Sequence, residues 1–341
     1  MKLGYHIGYW SSGPPHGALE TILEAERLGF DSVWTAEAYG SDAFTPLAWW
    51  GSSTSTVRLG TNIVQMSART PTATAMSALS LDHLSGGRFV LGLGASGPQV
   101  VEGWYGRPYP RPLARTREYI DIVRQVFARE APVTYDGDFF QLPYRGGAGL
   151  GKPLKPTVHP LRAELPIYLA AEGPKNVALS AEIADGWLPM FFSPRSNEFY
   201  RDALAEGFAR PGARRGWEDF EVPASVPLIV DDDVEQCADL IRPSLALYIG
   251  GMGAKQMNFH RDVFARLGYE ETATKVQELY LAGHKKDAAA AIPTKLVEDI
   301  ALIGPPAKIR DELQAWRETV VTSLLLRGDA SLLRKAAEIV S

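Results

Sequence analysis

The chain has 341 residues, 45% of them hydrophobic, and a formal net charge of −5 at pH 7. That balance excludes the concentrated basic face needed to bind nucleic acid or an anionic membrane surface, and a single cysteine, Cys237, excludes an internal disulfide or a multi-cysteine metal site. No apolar run approaches the roughly 18 residues that cross a bilayer, and the N-terminus opens directly on the strand-like KLGYHIGYW, so a cytoplasmic protein acting on a small molecule is expected.

Lys2 to Trp10 reads as the first strand, closed by the turn SSGPPHG. Ala18 to Leu28 places Leu19, Ile22, Leu23, Ala25 and Leu28 at helical spacing. Asp31 to Glu37 is a second strand, and Pro46 to Trp50 opens a helix with Thr45 as its cap. Val57 to Gln65, Pro71 to Leu84 and Arg88 to Ala95 then read as strand, helix and strand. Val57, Leu59, Ile63 and Val64 lack a clean alternation, and Phe89 to Leu93 is nearly continuously apolar. Both strands are therefore expected to be buried on two faces, as in a parallel sheet covered by helices.

Leu113 to Glu130 is a long amphipathic helix with Tyr119, Ile122, Val123, Val126 and Phe127 on one side. Val133 to Leu142 suggests a small hairpin, and Gly146 to Leu165 an aperiodic excursion. Regularity returns with the strand Pro166 to Ala171, a helix from Pro174, and strands at Gly186 to Phe192 and Val222 to Val230. A helix from Asp233 to Ile249 precedes Gly250 to Ile292, read as an insertion over the mouth of a barrel. Lys295 to Leu302 and Ala307 to Glu318 read as helices, Val321 to Leu326 as a strand and Ser331 to Val340 as the closing helix. Eight strands in this alternation predict a (β/α)₈ TIM barrel, one domain over residues 1–341 with insertions at about 131–165 and 250–292.

In such folds ligands gather beyond the carboxyl ends of the strands. Ala170 to Lys175 follows strand five and opens a helix; its small residues and free N–H groups suit a phosphate, or make a plain βα turn. Gly94 to Gly97 resembles a dinucleotide fingerprint only weakly, because Pro98 stands where a helix should begin. Glu37 ends strand two as a cofactor contact, a proton relay or a rim charge. None of the six histidines forms a catalytic or metal set by spacing; His6 lies within strand one, and His83 reads as structural. Trp10, Tyr39, Trp104, Tyr105 and Trp187 are candidates for a pocket wall or for core packing.

GFDSVWTAE (29–37), RLGTNIVQ (58–65), LDHLSGGRFVLGLGASGPQ (81–99), RTREYIDIVR (115–124), PIYLAAEGPK (166–175) and ADGW (184–187) together resemble the bacterial-luciferase-like flavin and deazaflavin oxidoreductases, most of all the members using coenzyme F420. The resemblance implies an insertion over the barrel mouth and a non-prolyl cis peptide at Asn62–Ile63 backing the deazaflavin ring. It places Gln65, Ala95, Ser96 and Gly97 around the ring and ribityl chain. Ala171, Glu172, Gly173, Pro174 and Lys175 would receive the phosphate, and Glu37 would be the acidic cofactor contact. It also implies a homodimer or larger oligomer, with the early helices in contact.

In the alcohol and sugar-phosphate dehydrogenases of that family a His follows the acidic residue and a Trp stands four further on; here Ala38 and Asp42 hold those places. Removal of a hydroxyl proton by that His cannot be carried over. The expected activity is hydride transfer in the reductase direction to an unidentified small organic acceptor, with Glu37, His6 and Gln65 as candidate catalytic groups, supported by Tyr9 and Glu102. An FMN-dependent monooxygenase is the second reading and a non-catalytic cofactor-binding protein the third; no metal is expected.

Overall fold

A computed structural model describes residues 1–253 and 258–340. Eight parallel strands form the barrel: β1 (Lys2–Gly8), β2 (Ser32–Thr35), β3 (Arg58–Thr61), β4 (Phe89–Gly94), β5 (Ile167–Ala170), β6 (Gly186–Leu188), β7 (Pro223–Ser225) and β8 (Ser323–Leu326). They hydrogen-bond in the order β7-β8-β1-β2-β3-β4-β5-β6, and the ring is joined by a parallel bridge between Gly186 and Glu221, just ahead of β7. Every residue of β2, β4 and β8 is buried, which explains the nearly unbroken apolar runs of β4 and β8.

Trp34, Val90, Tyr168, Leu188 and Leu325 point inward from five strands and fill the barrel. Trp34 is fully buried and stacks on Tyr168 with ring centroids 6.0 Å apart. Gly60 makes room for it, because a Cβ there would lie 2.2 Å from the indole. Below this layer Arg58 pairs with Asp31 and Glu221, closing the end opposite the site.

The outer ring begins with α1 (Ala18–Arg27), α2 (Phe44–Gly51) and α3 (Pro71–Leu84), followed by α4 (Pro98–Gly103), α5 (Pro112–Ala128), α6 (Pro174–Ile183) and α7 (Asn197–Phe208). The predicted apolar face of α5 is buried as expected. α1 instead buries Ala18, Thr21, Ile22 and Ala25, while Leu19 and Leu23 lie on its exposed side. α2 starts earlier than predicted, with Ala43 rather than Thr45 at its N-cap, and the Thr45 N–H donates to the Asp42 carboxylate just ahead of it. α4 corrects the reading of Pro98: a proline at the first helical position suits a helix start, since its missing N–H would have no partner there. α7 had no counterpart in the sequence reading, although Ser193 and Ser196 form a reciprocal capping box just ahead of it.

The strand expected over Val222 to Val230 is two strands. After β7 the Val226 N–H still reaches Leu325, but Pro227 has no N–H with which to continue the ladder. Its carbonyl instead accepts from Leu302, and Leu228–Val230 pairs with Leu302–Gly304 in a separate parallel sheet. Leu302 therefore belongs to a strand, and the predicted helix before it shortens to Thr294–Glu298.

This small sheet carries the second excursion: α8 (Val234–Gly250), α9 (Phe259–Phe264), α10 (Glu270–Leu281) and α11 (Lys285–Ala290). Its apolar core, including Cys237, Leu245, Phe264, Val276, Leu296 and Ile303, is distinct from that of the barrel and starts well before residue 250. Of the predicted insertion, residues 254–257 lie outside the described residues, as does Ser341 of the predicted domain. The hairpin forms, with Tyr135–Asp136 antiparallel to Gln141–Leu142. Among the described residues no helix is long and apolar enough to cross a membrane.

Candidate active site

The strand predicted over Val57 to Gln65 is interrupted. After β3 the Asn62–Ile63 peptide is cis, and the chain resumes as Val64–Gln65 beside the end of β4. This bend is held from three sides: the Asn62 N–H donates to Thr35, its carbonyl lies 3.3 Å from His6 Nε2, and its side-chain amide donates to Ser225. Gly92 and Gly94 are what let β4 pass so close. A Cβ on Gly92 would sit 1.7 Å from the Thr61 carbonyl oxygen, and one on Gly94 would meet the Ile63 side chain at 2.8 Å.

Glu37 stands at the end of β2 with its carboxylate almost wholly buried. Oε1 accepts from the Gln65 N–H and from Arg69 Nη1, both at 2.7 Å, and Oε2 from the Ala43 N–H. Both oxygens are engaged, so the group acts as a strut joining β2, the bend and the start of α2. Gln65 donates its side-chain amide to the carbonyls of Glu37 and Ala38, leaving Oε1 buried without a hydrogen-bond partner. A buried acceptor left open in this way costs free energy unless a ligand or water donates to it.

Ala95, Ser96 and Gly97 follow β4 half-buried, with Ser96 in the left-handed region at φ 59°. The Tyr109 hydroxyl donates to the Ser96 carbonyl, and burial pushes this phenol up to about 12. Arg115 donates to Ser67 beside them.

On the opposite side of the mouth, Ala171 to Lys175 join β5 to α6. The Asn176 and Val177 N–H groups turn back to the Gly173 carbonyl, while those of Glu172, Gly173 and Lys175 have no acceptor among the described residues. A Cβ at Gly173 would meet nothing within 4 Å. Trp187 packs in the core, and its indole N–H fixes this loop through the Ala171 carbonyl.

The excursion returns to the same loop. His260 on α9 sits with Nδ1 2.6 Å from Glu172 Oε1, its ring edge-on to Phe191 and Tyr248. Burial alone would lower the imidazole's pKa, but the Glu172 carboxylate outweighs it and holds His260 above the ordinary histidine value. His6 is the reverse case: burial, then the charge of Arg327, push it down to about 3.

Tyr9 reaches the Tyr248 hydroxyl at 3.4 Å. Tyr39 and Trp104 are exposed, Trp10 packs on Trp50, Tyr105 donates to the Ala38 carbonyl, and Glu102 is exposed on α4. His83 makes a helix-end hydrogen bond to His159, the structural role expected.

The structure thus gathers Glu37, Gln65 and His6 around one backbone bend and sets the Ala95–Gly97 and Ala171–Lys175 turns on the same rim. Sequence reasoning missed Arg69, Phe191, Tyr248, His260 and Arg327. Only Arg327 carried a usable signal, since it directly follows the strand VTSLLL at its ligand-facing end. Among the described residues no cluster of three or more His, Cys, Asp or Glu side chains can hold a metal.

These features define a parallel (β/α)₈ barrel that gathers Glu37, Gln65, His6 and two small-residue turns at the carboxyl ends of its strands. The model of the luciferase-like monooxygenase family matches residues 3–323, and the chain belongs to that family. It is 57% identical, over 100% of its own length and 99% of the relative's, to a Mycobacterium tuberculosis protein named "Putative coenzyme F420-dependent oxidoreductase". Among the solved structures that share its fold are the coenzyme F420-dependent tetrahydromethanopterin reductase of Methanopyrus kandleri (TM-score 0.80, 20% identity, 99% of this chain and 97% of that one) and an F420-dependent secondary alcohol dehydrogenase (TM-score 0.78, 18% identity, 99% and 97%).

Proposed function

We propose that this chain is a coenzyme F420-dependent oxidoreductase working in the reductase direction on a small organic acceptor. The observation that carries the cofactor is the buried Gln65 Oε1, an acceptor without a hydrogen-bond partner beside the end of β4. The name of the 57% identical relative supports the same cofactor.

The residues fit the group. Gln65 Oε1 is an acceptor awaiting a donor, Gly94 keeps the face beside Ile63 flat, and the Glu172, Gly173 and Lys175 N–H groups with the Lys175 ammonium suit a phosphate. Gln65, Ala95, Ser96 and Gly97 would border the ring and ribityl chain, and Ala171 to Lys175 would hold the phosphate. Bound and reduced, the deazaflavin supplies hydride chemistry; the barrel orients it and excludes water.

The reductase direction is supported by the state of two candidate bases. Oxidising an alcohol needs a base for the hydroxyl proton, yet Glu37 has both oxygens engaged and His6 both ring nitrogens. His260, whose pKa the Glu172 carboxylate raises, has no protein partner at Nε2 among the described residues and is the proposed proton donor at the mouth.

The chain is also proposed to pair as a homodimer through α2 and α3. Supporting this, Trp49, Met76 and Leu84 are 77%, 63% and 80% exposed around a groove of about 780 Å³ that carries no charged residue.

Titrating the purified protein separately with F420 and FMN, followed by fluorescence, tests the cofactor. F420 is expected to bind; tight FMN binding without F420 binding reverses the assignment in favour of a monooxygenase. Oxidation of reduced F420 by any acceptor excludes a protein that only stores the cofactor.

A further inference from the structure

We propose that the acceptor molecule carries an anionic group, a carboxylate or phosphate, that Arg327 receives at the rim between β8 and β1, with His6 as the positioning residue that aims the guanidinium. The substrate role rests on the oxidoreductase reading above; the anion site rests on the following geometry.

Arg327 follows β8 directly and is exposed at the mouth, near enough to Tyr248 for its charge to act on that phenol. Its Nε–H donates to His6 Nδ1 at 3.3 Å, and His6 Nε2 faces the Asn62 carbonyl at the same distance. A carbonyl only accepts, so Nε2 carries the ring proton and Nδ1 presents a lone pair to Arg327. The imidazole must then be neutral, and it contributes orientation without charge.

Beneath the fork lies Gly8, at φ 80°, where a Cβ would stand 3.3 Å from Arg327 Nη2. With Nε committed inward, both Nη groups are left without a protein acceptor among the described residues. Two parallel N–H donors at a fixed angle are the pattern that receives a carboxylate or phosphate in bidentate fashion.

Charge bookkeeping leaves Arg327 among the cations of the mouth without an ion pair, with Lys175 on the opposite turn and Arg266 on the Glu172 carbonyl. Glu37 is matched by Arg69 and Glu172 by His260. The acid nearest in sequence, Asp329, accepts the Leu332 N–H at the start of the last helix (Ala330–Val340). Arg327 has no ion-pair partner among the described residues.

The Phe191, Tyr248 and His260 rings meet edge to face on the same side of the mouth, offering an apolar wall to the body of the acceptor. An acceptor reduced at this site would gain one hydride and one proton, its double bond becoming single, with the two electrons being what a bound reduced deazaflavin would supply. The anionic group is unchanged.

The cofactor's own phosphate tail is the other source of such an anion, and the test separates the two. Binding of cinnamate, cinnamamide and phenyl phosphate is measured by calorimetry on wild type, Arg327→Gln, Arg327→Lys and His6→Phe, with F420 titrated into each. Wild type should prefer cinnamate to cinnamamide. Arg327→Gln should weaken cinnamate and phenyl phosphate about ten- to a hundredfold while leaving cinnamamide and F420 unchanged, the loss of a charge-assisted pair. Arg327→Lys should fall between, and His6→Phe should lower cinnamate affinity with cinnamamide unaffected, a contrast that a general structural defect would not produce.

Equal binding of cinnamate and cinnamamide, binding of none of the three probes, or indifference to Arg327→Gln overturns the proposal. Loss of F420 affinity without loss of cinnamate affinity assigns the anion to the cofactor tail and also overturns it. Failure of F420 to bind wild type would instead defeat the cofactor assignment, and the contrast between the charged and uncharged probes would still decide Arg327.

Discussion

Replacing Glu37 by Gln keeps the shape of the side chain and removes its charge, which separates a strut from a proton relay. The carboxylate accepts three hydrogen bonds, at 2.7, 2.7 and 3.2 Å, with its side chain 3% exposed. Gln retains one acceptor oxygen and turns an NH₂ toward at least one existing donor. With charge-assisted bonds each contributing about 1.5–3 kcal/mol, Glu37→Gln should destabilise the fold by about 2–4 kcal/mol. Arg69→Ala leaves the carboxylate buried with two backbone donors. Because Arg69 is itself 23% exposed and water can reach the gap, the cost falls below the full buried-pair penalty, at about 2–3 kcal/mol. The double variant should cost less than the sum by at least about 1 kcal/mol, since the two residues share one interaction. Denaturant unfolding of the four proteins, with F420 titrations on each, closes the cycle. Additive losses, or a Glu37→Gln variant of full stability and cofactor affinity that has lost turnover, would refute the strut and make Glu37 a proton carrier.

Three further outcomes are expected. Gly173→Val should fold normally, because its Cβ meets no protein atom within 4 Å, yet bind F420 at least about tenfold more weakly; unchanged affinity would remove the phosphate site. The His260–Glu172 contact should stabilise the protein fully below about pH 6.5, the unfolded histidine value, and lose that contribution as pH rises through the higher folded value. The melting difference between wild type and His260→Gln should therefore shrink with increasing pH, and a difference that grows would contradict it. Trp49→Glu, by placing a charge on the uncharged face of α2 and α3, should convert a dimer to a monomer in light scattering without changing the circular dichroism spectrum.

The alternation of strands and helices was legible in the sequence because its causes are local. Buried parallel strands read as apolar runs, α5 shows its apolar stripe, and the small-residue turns at Gly94 to Gly97 and Ala170 to Lys175 stand where strands end. Some local cues were misread: Pro98 begins a helix, and Pro227 ends a barrel strand by withholding one N–H. The rest was decided in three dimensions. Glu37 became a strut because Arg69 and the Gln65 N–H reach it from β3's far side. Glu172 acquired a histidine 88 positions away, carried by the excursion. His6 and Arg327, 321 positions apart, meet only because β8 pairs with β1 when the barrel closes. Periodicity and turn chemistry act over a few residues and are written in the chain. Whether a buried carboxylate or imidazole is paired, and hence what protons it holds, depends on neighbours that only the closed sheet brings within 3 Å or so.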